Sequence, residues 1–129
     1  MLKFRARRFP LTDDEFVLVD VAVCLVDQEP YVVLRHVPGP TQLGVLQANF
    51  ERVATLFHWE LAINGVPASV RGRVRFVYEQ PAWDNGKVSF PARLTRVKLE
   101  LTSRGYRALA WHPLSTEEQQ HFNAAQQTA

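Results

Sequence analysis

Phe16-Val17-Leu18-Val19-Asp20-Val21-Ala22-Val23-Cys24-Leu25-Val26 is the stretch whose reading decides the fold. Val17, Val19, Val21, Val23 and Leu25 fill one face of an extended chain. Phe16, Leu18, Ala22, Cys24 and Val26 nearly fill the other. A strand apolar on both faces belongs in the interior of a covered sheet. Asp27-Gln28-Glu29-Pro30 reads as a turn, Tyr31 to Val37 as the returning strand, and Pro38-Gly39-Pro40 as its stop. Upstream, Lys3 to Phe9 sets Phe4 and Ala6 against Lys3, Arg5 and Arg7. That pattern, ended by Pro10, is a short edge strand.

Downstream the period changes. Leu43, Leu46, Phe50, Val53 and Phe57 follow spacings of three and four, which is one face of a helix over Thr41 to Phe57, with Thr41 as N-cap. His58 to Ile63 carries both a helical stripe through Leu61 and a strand alternation of Trp59, Leu61 and Ile63, and is read as a strand. Asn64-Gly65 serves either as a helix stop or a hairpin turn. Val70 to Tyr78 alternates cleanly, Gln80 to Lys87 reads as a loop with Trp83 near its tip, and Val88 to Thr102 is a long strand. Tyr106 to His112 is the last strand. Ser115 with Glu118 three residues on is a capping box, so a short helix is expected over about 115–125, followed by a fraying tail from Asn123. Strands joined by short turns favour antiparallel pairing. The expected fold is α+β: a two-layer domain over 1–129 with a mostly antiparallel sheet of five to seven strands. One main helix (about 41–57) covers one face.

The chain has 129 residues, 47 % hydrophobic and 22 % charged, which fits one folded domain and argues against disorder. Its one Cys excludes an intrachain disulfide and an all-Cys zinc site. No apolar run is long enough to span a bilayer, and Met1 to Arg8 lacks the apolar stretch of a signal peptide, so a cytoplasmic location without membrane association is expected. The formal net charge is only +2, so the placement of the cations must carry any argument about anionic partners.

The chemistry-bearing residues give few motifs. Asp20 is the one charge in the apolar strand and needs a partner. If Val26 faces Tyr31, Asp20 lies opposite Val37 and diagonal to Arg35, which makes Asp20–Arg35 the expected structural ion pair. His36, His58, His112 and His121 lack metal-ligand spacing, and Cys24 reads as a core filler, so no metal and no cofactor are expected. The usual nucleophile and phosphate-loop signatures are absent. The run Ala108-Leu109-Ala110-Trp111-His112-Pro113-Leu114 before a capped helix resembles the closing segment of Nudix hydrolases. That resemblance implies diphosphate hydrolysis with Mg²⁺ held by an array of glutamates on one helix. The helix Thr41–Phe57 offers only Glu51.

The most informative surface is a basic-aromatic sheet face. A turn at Thr102–Gly105 aligns Leu101 with Tyr106, which sets Arg107 opposite Glu100, Leu109 opposite Lys98 and Trp111 opposite Arg96. With an even-residue hairpin after Tyr78, Arg71, Arg73 and Arg75 join that face. Like charges across strands repel, so either acids or a bound anion must neutralise the cluster. The expected binding residues are therefore Arg71, Arg73, Arg75, Arg96, Lys98 and Trp111, and the expected function is a small non-enzymatic binding protein for single-stranded nucleic acid or another polyanion, held by phosphate contacts and base stacking. Two other readings compete. One is a homo-oligomeric assembly module, a homodimer built through Trp83 and the edge strand. The other is an enzyme with a dispersed site around Asp20, Arg35 and His36.

Overall fold

The computed structural model describes residues 2–37, 44–84 and 87–128, of which 81–84, 87–92 and 126–128 are described for the backbone alone. The elements run β1 (Arg5–Pro10), β2 (Phe16–Val26), β3 (Glu29–His36), α1 (Val45–Ala48), α2 (Phe50–Ile63), α3 (Ala68–Arg71), β4 (Arg75–Asp84), β5 (Lys87–Thr102), β6 (Gly105–Pro113), α4 (Thr116–Ala125) and β7 (Gln126–Thr128). This is the α+β domain expected. The sheet order is β1-β2-β3-β4-β5-β6, with β7 added to β2, and every pairing is antiparallel except β3 with β4. The parallel pair exists because the three helices intervene between β3 and β4 and return the chain to its starting end.

β2 is buried on both faces. Val17, Val19 and Val21 pack with Phe50, Val53, Ala54 and Phe57 of α2 and with Phe76, Tyr78 and Val97 of the sheet. Ala22, Cys24 and Val26 pack with Val33, Val77, Leu94 and Phe122 on the opposite face. The face left open in the sequence reading is thus partly covered by α4, whose Phe122 meets the Tyr31 ring edge-on at 5.4 Å. Both capping-box bonds form: Glu118 N donates to Ser115 Oγ at 3.1 Å and Ser115 N to Glu118 Oε1 at 3.0 Å. The tail is also more ordered than expected, since Gln126–Thr128 pair with Cys24–Val26.

Four further expectations need correction. His58 to Ile63 is helix, not strand: α2 runs on because Phe57 and Leu61 continue its apolar stripe. It stops at Asn64-Gly65 through bonds from Gly65 N to Ala62 O and from Val66 N to Leu61 O, with Gly65 at φ +83°. Val70–Tyr78 is a strand only from Arg75, because Pro67 opens α3 and a turn follows at Gly72. Gln80–Lys87 is not a loop, since β4 reaches Asp84 and β5 starts at Lys87. Trp83 therefore sits on β4, paired with Val88, and its side chain lies outside the described residues. The proposed N-cap Thr41 and the first stripe residue Leu43 also lie outside them.

The β2–β3 hairpin is tighter than expected. Asp27 (φ 52°) and Gln28 (φ 67°) form its two-residue turn, so Val26 faces Glu29 rather than Tyr31. A shift of two residues keeps every side chain on its face and sets Asp20 directly opposite Arg35.

Candidate anion-binding cleft

β5 outruns β4. β4 begins at Arg75 and pairs from Phe76 with Val97, whereas β5 continues to Thr102. The missing strand length leaves a notch bordered by Gly72 and Val74 of the turn after α3. It is a cleft of about 450 Å³ lined by Arg75, Arg96, Lys98 and His112 from one face of the sheet and by Phe76, Leu99 and Tyr106 from the other. No carboxylate lines it among the described residues. Arg96 faces His112 directly across β5 and β6. Its guanidinium lies 3.6 Å from Glu118 of α4, a partly exposed pair.

Three of the expected binding residues, Arg75, Arg96 and Lys98, meet in this cleft, and the other three do not. Arg71 ends α3 and donates to Val66 O. Arg73 lies in the turn and reaches Glu29 at 3.9 Å. Trp111 is on the opposite face. A bulge between Lys98 and Leu99 leaves Leu109 as the extra residue, so Lys98 faces Ala110 and Trp111 faces Val97 instead of Arg96. Its ring then packs edge-on against Phe50 (5.2 Å) and Tyr78 (5.9 Å). His112 takes the place next to Arg96, and nothing in the sequence announces that exchange, because a bulge has no fixed signature.

The rim of the cleft is held by a second polar group that the sequence reading missed. Tyr106 Oη and His58 Nδ1 are 3.0 Å apart, and Tyr106 N donates to Thr55 Oγ1 at 2.8 Å. Burial pushes the Tyr106 hydroxyl up and the His58 imidazole down, with the Arg71 charge lowering both, so the pair stays as neutral phenol and neutral imidazole near pH 7.

Asp20 and Arg35 form the expected pair at 3.2 Å. Arg35 also lies 3.7 Å from Glu79, and its guanidinium covers the Phe4 ring at 3.7 Å. His36 does not join them. It alternates with Val32 and Leu34 on the α2 face, whereas Asp20 and Arg35 face the α4 side, so the sheet divides that trio. His36 is 1 % exposed, and neither ring nitrogen has a partner among the described residues. Cys24 is buried, which pushes its thiol up to about 11 and makes it inert. Among the described residues no three His, Cys, Asp or Glu side chains converge as metal ligands, and no helix is long and apolar enough to cross a membrane.

No family model, no curated protein and no solved structure matches the chain. The likeness to Nudix hydrolases finds no support in the helix either. Both glutamates of α2 are engaged, Glu51 accepting from Ala108 N at 2.6 Å and Glu60 clasping Arg7 at 2.5 Å, so no carboxylate array stands ready for Mg²⁺.

Proposed function

We propose that this chain is a non-enzymatic binding protein for a phosphate-bearing polyanion, seated in the cleft of Arg75, Arg96, Lys98 and His112. The observation that carries the reading is that those four residues line one concave site whose lining holds no carboxylate among the described residues. Guanidinium forks and an ammonium are suited to phosphate oxygens, and His112 adds a ring N–H donor. A single-stranded nucleic acid offers this chemistry through its backbone, without base stacking on Trp111. The lone, buried Cys24 suits a reducing compartment, and we place this activity in the cytoplasm.

The test is a calorimetric titration with inorganic pyrophosphate and with an oligothymidylate, at low and moderate salt. Binding should be saturable and should weaken steeply with salt. The slope for the oligonucleotide should flatten by about one unit in Arg75→Ala or Lys98→Ala. Absence of binding at low salt would overturn the reading.

A further inference from the structure

The six-strand path has two outer edges, and they are treated differently. At β6, α2 reaches over the edge: Thr55 Oγ1 accepts from Tyr106 N and Glu51 Oε2 from Ala108 N, at 2.8 and 2.6 Å. Those backbone donors have no capacity left for a visiting strand. At β1, no element among the described residues closes the outer edge, and β7 lies further along β2, at Cys24–Val26. An uncovered edge is a template for strand addition.

The composition of β1 selects the visitor. Lys3, Arg5, Arg7 and Arg8 fall within six residues. Arg7 is neutralised by Glu60 at 2.5 Å. Arg8 lies over the Phe16 ring at 3.8 Å and keeps its charge. Lys3 and Arg5 line a groove of about 440 Å³ beside α2, with Val21, Val23, Phe57 and Leu61 as its apolar wall. Val23 is 44 % exposed there. A second copy of β1 on this edge would set cation against cation, which disfavours the alternative homodimer reading and favours a partner of opposite sign.

We propose that the β1 edge docks an extended acidic peptide as an added strand. Its backbone pairs with Arg5–Pro10, its carboxylates meet Arg5 and Arg8, and an apolar side chain near Lys3 seats against Val23. This interface is separate from the anion cleft.

The experiment is fluorescence anisotropy with labelled hexapeptides: a Glu-Val peptide of five Glu and one terminal Val, which offers carboxylates to both faces of the edge, a Lys-Val peptide of five Lys and one terminal Val, and the Glu-Val peptide in two versions N-methylated on either set of alternate amides. The Glu-Val peptide should bind about tenfold more tightly than the Lys-Val peptide, as two to three partly exposed ion pairs allow. The preference should reverse in the doubly substituted Arg5→Glu, Arg8→Glu protein, whose folding is checked by its unfolding transition. One N-methylated version should lose binding and the other should keep it. Binding should persist in Arg75→Ala, Lys98→Ala. Equal binding of the two charge types, indifference to both methylation patterns, or loss with the cleft residues would overturn the proposal. So would a dimer in sedimentation that Arg5→Glu disperses.

Discussion

Thr55 Oγ1 accepts the backbone N–H of Tyr106 at 2.8 Å and donates to Glu51 O at 2.7 Å, so one hydroxyl ties the edge strand β6 to α2. Thr55 is buried and so is Gly105 beside it, where an added Cβ would lie 2.5 Å from Thr55 Cγ2. Thr55→Val keeps the shape and removes the acceptor. The stranded Tyr106 N–H should cost about 1–3 kcal/mol in chemical denaturation. A loss below a few tenths of a kcal/mol would mean that water replaces the bond.

Trp111 lies on the α2 side of the sheet, with its ring against Phe50 and Tyr78. It is still 36 % exposed, so Trp111→Ala should cost roughly 2–4 kcal/mol, toward the lower part of the range for aromatic truncation. Affinity for an oligonucleotide should stay unchanged at temperatures where the variant is folded. A selective loss of affinity would restore the stacking role expected from sequence.

Arg35 is shared by Asp20 and Glu79, whose side chains are 14 % and 7 % exposed. Arg35→Met keeps the stem over Phe4 and leaves two carboxylates in poor solvent. About 3 kcal/mol should be lost in chemical denaturation, and clearly less in Arg35→Lys, which keeps a cation for the two carboxylates. An equal loss in both variants would point to packing rather than charge.

His36 gives the chain a falling stability toward acid. Burial lowers its pKa below 6.5; Asp20 opposes that shift and Arg35 adds to it. His58 shifts the same way through burial and Arg71. The unfolded chain therefore binds protons that the folded chain refuses. Stability is full above about pH 6.5 and drops below it, by up to about 1.4 kcal/mol per pH unit for each neutral imidazole. His36→Leu should flatten this slope, measured from denaturation midpoints between pH 7 and pH 5. An unchanged slope would show that His36 accepts a proton without penalty.

Much of the architecture is legible in the sequence, and the limits have physical causes. The doubly apolar Phe16–Val26 run places β2 correctly, because burial on both faces demands it. Phe50, Val53 and Phe57 place the main helix for the same reason, but the expected single helix over 41–57 is divided at Asn49: Leu46 is buried from the separate α1, and α2 runs from Phe50 to Ile63. Asp20–Arg35 survives a wrong turn because a two-residue slip preserves faces. Asn64-Gly65 suits a helix stop and a hairpin equally, so the strand reading of His58–Ile63 fails on a tertiary fact, the packing of Phe57 and Leu61 on the sheet. The cleft was half legible: Arg75, Arg96 and Lys98 follow strand parity, whereas the Leu109 bulge exchanges Trp111 for His112. The notch itself comes from β5 outrunning β4, a difference in strand length that no local pattern states.

The central claim is that a phosphate-bearing anion sits in the notch between the start of β4 and the overhang of β5. Amide chemical-shift mapping during a pyrophosphate titration tests it most directly. The expected result is a saturable shift confined to Gly72, Val74, Arg75, Arg96, Lys98, Leu99, Tyr106 and His112, lost in the doubly substituted Arg75→Ala, Lys98→Ala protein. Shifts that scatter over the exposed arginines without saturating, or that centre on β1 instead, would contradict it.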